Sequence, residues 1–408
     1  MKCRHCGKEL THTFIDLGSS PPSNSYLTEQ SLKEPEKWYP LKVMVCDNCW
    51  LVQTEDFVGS SEMFSDDYAY FSSYSSTWLE HARSYVDDMA ARFNLDSDSM
   101  VVEIAANDGY LLQYVKQKKI PCYGIEPTHS TALAAIEKGI KIIEEFFSEE
   151  KAKELAEQGG QVDLTIANNV LAHVPDINDF VKGFSILLKP MGVATFEFPH
   201  LLNLVKQKQF DTIYHEHYSY LSLISVRTIF EANGLNIFDV EEIPTHGGSL
   251  RIYAQRADTN HHPISSNVKN LLKSEKQEGM NSVDFYTGFQ QQAEKIKFDM
   301  LLFLLEARKQ GKKIVAYGAA AKGNTMLNYA GVHNDILSYV VDMNPAKQGK
   351  YMPGSRVPIV EEERLKHDKP DYVLILPWNL KNEITIQLDY IKEWDGKFVT
   401  VVPEMALQ

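Results

Sequence analysis

Cysteine is scarce in this chain: five residues in 408. So few, at the spacings they have, exclude a disulfide framework and leave metal binding as their use. Basic charge is also short. Forty-one lysines and arginines stand against 55 aspartates and glutamates, for a net charge of −14. That balance leaves no basic footprint for a nucleic-acid groove. No apolar run approaches the roughly 20 residues that span a bilayer. The N-terminus lacks the apolar core of a signal peptide, so a cytoplasmic protein without a membrane partner is expected. The fingerprint G-x-G-x-x-G is missing too, which disfavours a tightly cradled pyrophosphate and hence a dinucleotide. A chain of this length calls for two or three domains.

Four of the cysteines form two C-x-x-C pairs, Cys3-Arg4-His5-Cys6 and Cys46-Asp47-Asn48-Cys49. Each pair makes a knuckle that offers two thiolates, and two knuckles complete one tetrahedral site. A Zn2+ ion on Cys3, Cys6, Cys46 and Cys49 is therefore expected, structural because four thiolates leave no open position. A redox C-x-x-C explains only one pair at a time. His5 is left outside the ligand set, and Cys122 reads as a small buried apolar residue. Between the knuckles, Gly18 to Tyr26 is too rich in turn formers to be an element.

Residues 66–74 are tyrosine-rich, and read either as a lid over a substrate or as an aromatic seam. A helix follows over Thr77 to Phe93, with Leu79, Ala82, Val86 and Met89 on one stripe. A succession of βα units then begins at Met100. Its first strand runs into a turn ending at Gly109. The second closes on the acid Glu126, where a ribose diol is usually held by a carboxylate. The third unit gives Glu144 to Phe147. The fourth, from Val162, ends in Ala167-Asn168-Asn169, and the fifth runs from Gly192 to Pro199. This succession predicts a doubly wound, mostly parallel sheet with an adenosine-type ligand at its carboxyl edge.

Tyr214-His215-Glu216-His217-Tyr218-Ser219-Tyr220 packs three phenols, two imidazoles, a carboxylate and a hydroxyl into seven residues. As a helix it places Tyr214 and His217 on one side. As a strand it places His215 and His217 together. Either arrangement reads as acid/base equipment, since imidazole titrates near working pH. A metal pair on His215 and His217 lacks a third ligand at short spacing.

From Val268 to Lys309 the pattern is helical, with Phe285, Phe289, Ala293, Ile296, Met300, Phe303 and Ala307 as its apolar stripe. Gly311 to Thr325 restarts a strand, a glycine turn and a helix. Strands at 336–341, 371–376 and 397–402 complete a second Rossmann-like unit. At the start of its first helix Lys322 is placed to grip a diphosphate. His246-Gly247-Gly248-Ser249 with Arg251 offers a second anion contact.

Taken in order, the knuckles, Glu103 to Leu112, Ala167 to Val174, Phe196 to Pro199, Tyr214 to Tyr220, Thr245 to Arg251 and Gly318 to Thr325 form a series. That series resembles the S-adenosylmethionine-dependent C-methyltransferases that act on nucleotide-linked keto-deoxysugars. The resemblance implies a zinc-binding domain (1–65), a class I methyltransferase domain (66–262) and a C-terminal Rossmann-like domain (263–408) around one active site. It implies His217 as general base, with Tyr214 and Glu216 beside it and His173 and Tyr68 near the substrate's keto group. It also implies a methyl-donor site on Glu103, Asn107, Asp108, Gly109, Glu126 and Asn168, and substrate contacts that include Asn324. The substrate it implies is a dTDP-linked 4-keto-deoxysugar, methylated at C3. Two other readings remain: an NAD-dependent sugar-nucleotide oxidoreductase or epimerase, and a zinc-ribbon methyltransferase that acts on RNA. The missing glycine fingerprint counts against the first and the acidic charge against the second.

Overall fold

Three sheets organise the protein, seen in a computed structural model that describes residues 1–57 and 71–408. The N-terminal sheet is an antiparallel meander of β1 (His12–Ser20), β2 (Tyr39–Val45) and β3 (Val52–Thr54). Its cysteines lie in the tight turns at its end, where Cys3, Cys46 and Cys49 are buried.

The middle sheet follows from short, mostly apolar runs without strict alternation. Val101–Ile104 (β4) is buried at every position, as a parallel strand covered on both faces must be. Next come β5 (Cys122–Ile125), β6 (Ile142–Ile143), β7 (Val162–Asn168) and β8 (Leu188–Pro199). Strand β9 (Ser219–Tyr220) leaves this sheet altogether and pairs with β3. The chain then returns for β10 (Leu235–Ile243) and β11 (Ser249–Arg256). Strand order is β6-β5-β4-β7-β8-β11-β10, with β11 alone antiparallel to its neighbours. This is the expected doubly wound class I methyltransferase arrangement. The order reverses between β4 and β7, which opens a crevice at their carboxyl ends.

The C-terminal sheet runs β14-β13-β12-β15-β16-β17. Its strands are β12 (Ile314–Tyr317), β13 (Val340–Val341), β14 (Ile359–Val360), β15 (Tyr372–Ile375), β16 (Lys397–Thr400) and β17 (Ala406–Leu407). All are parallel except β17. The fold is thus α/β, with an N-terminal cysteine-cluster domain and two Rossmann-like units.

Local differences from the sequence reading have local causes. The strand expected at 336–341 shrinks to β13 because the Ile336 and Leu337 amides turn back to the His333 carbonyl. The third unit's strand is Ile142–Ile143, one step before the expected Glu144 to Phe147. In the long helix Phe289–Lys309, Phe285 falls outside, because Gly288 takes a left-handed conformation and starts the helix afresh. The helix Ser76–Arg92 is capped by Ser75 Oγ accepting from the Trp78 amide, and buries Ala82, Tyr85, Val86 and Met89. Among the described residues no helix is long and apolar enough to cross a membrane.

Candidate functional site

The Tyr214–Tyr220 stretch is neither helix nor long strand. A turn closed by the His217 amide on the Tyr214 carbonyl, 2.9 Å, brings these two side chains together. Tyr214 Oη lies 2.8 Å from His217 Nε2, and His217 Nδ1 lies 2.9 Å from the Thr212 carbonyl. A carbonyl only accepts, so the proton of the neutral ring is on Nδ1 and the lone pair is on Nε2. That lone pair receives the Tyr214 hydroxyl. The His173 ring meets His217 edge-on at 4.6 Å. His215 turns the other way, to the Pro40 carbonyl at 3.2 Å, so the two histidines form no metal pair.

Burial holds this cluster uncharged. It pushes His217 well below the usual imidazole value, helped by His173, Lys322 and His246 nearby. Burial likewise takes His173 down to about 4, and His246 to about 4 with Lys322 adding to the effect. Neutral imidazoles with a directed lone pair can accept a proton near pH 7.

All three domains meet here. Asn24, from the loop between the cysteine knuckles, donates to both carboxylate oxygens of Glu216 at 2.8 and 2.7 Å. Asn324 Nδ2 donates to the Ser23 carbonyl at 2.5 Å, so the structure gives Asn324 a link to that loop. Thr325 Oγ1 donates to the Ile213 carbonyl at 2.7 Å. Tyr26 reaches across to the Ala319 carbonyl at 2.6 Å. From the N-terminal sheet, the Thr54 hydroxyl and amide donate to the carbonyls of His217 and Tyr218, 3.2 and 3.1 Å.

Lys322 stands beside this turn. Its ammonium lies over the Trp378 ring, 4.8 Å from the centroid, and donates to Asn379 Oδ1 at 3.2 Å. The Trp378 indole donates to Asp211 Oδ2 at 2.7 Å. Burial raises Asp211 to about 6 against the pull of Lys322 and of that hydrogen bond. Burial also lowers the Lys322 ammonium, which Asp211 opposes. His246 is left-handed, φ 54°, and its Nε2 lies 3.3 Å from Asn169 Nδ2. A Cβ on Gly247 would come within 2.7 Å of the Trp378 ring edge, so only glycine lets the two loops meet.

Arg251 was expected as an anion contact, and the structure places it otherwise. Arg251 and Glu197 are cross-strand partners on β11 and β8. The guanidinium donates to Glu197 Oε1 at 2.6 Å and to Glu241 Oε2 at 3.4 Å. Burial disfavours ionised Glu197, yet His81 (2.7 Å) and Arg251 outweigh it and hold the acid below its usual range. The arginine's charge is therefore met inside the protein.

The crevice at the ends of β4, β5 and β7 collects the second expected group. Glu126 accepts from the Asn107 amide at 2.8 Å and the Thr128 amide at 2.9 Å. Asn107 Oδ1 and Asp108 Oδ2 accept from the Ser72 and Ser73 amides at 2.9 and 3.3 Å. Ala105, Asn107 and Gly109 all take positive φ, a tight curl that brings the loop's backbone to the crevice. A Cβ on Gly109 would lie 2.3 Å from Ile140 Cδ1. Buried polar atoms without a partner among the described residues line this place: Asp108 Oδ1 and both amide atoms of Asn168. Burial pushes Glu103 well above the carboxylate range despite the Tyr110 hydroxyl. Unmet donors and acceptors beside a buried acid fit a polar ligand carrying an ammonium and a ribose, as S-adenosylmethionine does.

The four sulfurs of Cys3, Cys6, Cys46 and Cys49 lie within 4.8 Å of one another. Two of the separations are 3.5 and 3.6 Å. A tetrahedral ion with metal–sulfur bonds of about 2.3 Å sets sulfurs roughly 3.8 Å apart, so the cluster fits a four-thiolate site. His5 stays outside, on Asn178.

Known proteins agree with this layout. Residues 3–64 match a "Putative zinc binding domain", residues 78–240 a methyltransferase domain, and residues 244–403 a C-methyltransferase C-terminal domain. C-methyltransferase NovU of Streptomyces niveus is 32% identical over 403 residues, 99% of this chain and 96% of that protein. The chain belongs to the C-methyltransferase family. Among solved structures, magnesium protoporphyrin IX methyltransferase of Synechocystis PCC 6803 with bound SAM covers 44% of this C-methyltransferase and 79% of its own chain. Identity there is 18% and the TM-score 0.34.

Tyr68, expected near the keto group, lies outside the described residues. Asn24, Asp211, Trp378 and Asn379 were not anticipated. A signal existed for Trp378 alone: Pro377-Trp378-Asn379 follows a strand at the carboxyl edge of an open sheet, where ligands gather.

Proposed function

We propose that this C-methyltransferase uses S-adenosylmethionine to methylate C3 of a dTDP-linked 4-keto-deoxysugar, with His217 as the base. The observation that carries the reading is the His217 ring. Its Nδ1–H is fixed on Thr212 and its Nε2 lone pair faces Tyr214. A carbon becomes a nucleophile only after losing a proton, and the acidic C–H of such a sugar lies beside the ketone. That proton ends on His217 Nε2, either directly once the Tyr214 hydroxyl swings away or through that hydroxyl. Glu216, held by Asn24, fixes the turn between them. His173 packs on the base and lines the keto side.

The methyl donor, when bound, supplies an electrophilic methyl on a sulfonium. In this reading Glu103, Asn107, Asp108, Gly109 and Asn168 surround it and Glu126 takes the ribose hydroxyls. His246 and Asn324 line the sugar nucleotide's path. The cysteine cluster holds a structural zinc ion. The chain's acidic charge and its lack of G-x-G-x-x-G favour this reading over the RNA and NAD ones.

The test is mass spectrometry of a dTDP-4-keto-6-deoxysugar incubated in deuterated water with S-adenosylhomocysteine, then with S-adenosylmethionine. Deuterium uptake beside the ketone, followed by a methyl gain that disappears in His217→Asn, is the expected result. No uptake and no methyl gain across a panel of keto-sugars would remove the proposed substrate class.

A further inference from the structure

Removing a proton beside a ketone leaves a negative charge on oxygen, and a histidine held neutral by burial is a weak base for that task. The enolate therefore needs a strong partner at its oxygen. Cations near the cluster are mostly committed. Arg251 pairs with Glu197 and Glu241, Lys347 with the Ala319 carbonyl and Asp342, and Arg4 with Asp56. Lys322 differs: among the described residues its one hydrogen bond goes to the neutral Asn379.

We propose that Lys322 is a catalytic residue whose ammonium donates a hydrogen bond to the substrate's developing enolate oxygen, instead of holding the diphosphate. The inference rests on the keto-sugar reading above. Its ground is a rigid frame that ties Lys322 to the base. The ammonium lies on the Trp378 face at 4.8 Å, and Trp378 is pinned by its indole N–H to Asp211 at 2.7 Å. Asp211 adjoins Thr212, whose carbonyl fixes the His217 ring. From the other side, Thr325, three residues beyond Lys322 on the same helix, bonds the Ile213 carbonyl in the base-bearing loop. Acid and base are thus locked on one frame, as the adjacent C–H and C=O of a ketone require.

Electrons balance without a further reactant. The C–H bond breaks toward His217, and its pair becomes the C=C bond while the carbonyl π pair moves to oxygen. Lys322 keeps its proton and stabilises that oxygen. When the C–C bond forms, the C=O bond is restored and the departing sulfur keeps the S–C pair.

The experiment measures deuterium exchange into dTDP-4-keto-6-deoxyglucose, with S-adenosylhomocysteine present, for wild type, Lys322→Met, Lys322→Gln and Lys322→Arg. Binding of dTDP alone is measured in parallel, and unchanged stabilisation by S-adenosylhomocysteine identifies the folded variants. The expected result is an exchange kcat lowered about 10²–10³-fold in Lys322→Met. Partial recovery in Lys322→Arg and unchanged affinity for dTDP should accompany it. Exchange kcat intact with dTDP affinity lowered tenfold or more would overturn the proposal and restore the diphosphate grip. Exchange equal in wild type and variants, with dTDP affinity unmoved, would also overturn it. No exchange by wild type would instead remove the keto-sugar reading and this inference together.

Discussion

Tyr214 and His217 share one hydrogen bond, 2.8 Å from Oη to Nε2, and it covers the lone pair that a base must expose. The two side chains therefore compete for a proton or pass it on. Exchange beside the ketone should fall about 10²–10⁴-fold in His217→Asn, the range for losing a positioned base. Tyr214→Phe separates the two routes. Full exchange means that His217 takes the proton directly, and a loss as large as that of His217→Asn means that the hydroxyl relays it.

The cysteine cluster connects to the proposed base, His217, through the strand that follows it. Gln53 Nε2 donates to Cys3 Sγ at 3.2 Å, Gln53 is the register partner of Ser219, and Thr54 holds the His217 carbonyl. Metal in zinc-finger peptides contributes about 10–16 kcal/mol of folding free energy. Stripping the metal with a chelator should therefore abolish methyl transfer and lower Tm, and zinc should restore both. Elemental analysis alongside activity checks this. Activity that survives complete metal loss would contradict it.

The crevice proposed for the methyl donor leaves no room at Gly109. Gly109→Ala adds a Cβ 2.3 Å from Ile140 Cδ1 at φ +73°. Both the clash and the left-handed backbone distort the loop, the latter by about 1–2 kcal/mol. Thermal shift with S-adenosylhomocysteine should show its affinity reduced about tenfold or more, with the cysteine domain's metal content unchanged.

Glu103 gives the same crevice a pH signature. Burial keeps it protonated above the ordinary carboxylate range, and a ligand ammonium nearby favours the ionised form. Binding should then release a proton, so affinity for S-adenosylhomocysteine rises as the pH climbs above that range. Calorimetry in buffers of different ionisation enthalpy reads this directly, and Glu103→Gln should lose the dependence.

Asp211 titrates near pH 6 in the folded protein, raised by burial, against about 4 in an unfolded chain. Between those values the folded state binds more proton, so stability falls as pH rises through that window and is flat above it. A shift of about two units corresponds to about 3 kcal/mol. Denaturation midpoints followed from pH 4 to 7 should lose this slope in Asp211→Asn.

Much of the framework is readable in the sequence because short-range rules govern it. The run Val101–Ile104, apolar but for Glu103, specifies a buried parallel strand, and two C-x-x-C pairs specify one four-sulfur cluster. The Tyr214–Tyr220 stretch announces itself by composition, and the i,i+3 closeness of Tyr214 and His217 survives although the segment is a turn. What stays hidden depends on pairs distant in sequence. Nothing periodic marks Asn24 as the partner of Glu216, or Trp378 as the partner of Asp211. Arg251 reads as a free cation until the β11–β8 register sets it opposite Glu197. Cross-strand register comes from tertiary packing, which local patterns do not carry.

The two-residue pairing of β9 with β3 also bears on how the chain is made. Residues 219–220 leave the ribosome only after most of the middle domain, so the N-terminal sheet waits on the order of ten seconds for its last strand. During that interval the outer edge of β3 is open to any other extended chain. Metal capture by the cysteine knuckles does not need β9 and can happen first. Newly made protein starved of metal would then wait with its cysteine turns unfixed while that edge is still open, and aggregation during synthesis is where the shortage would first be seen.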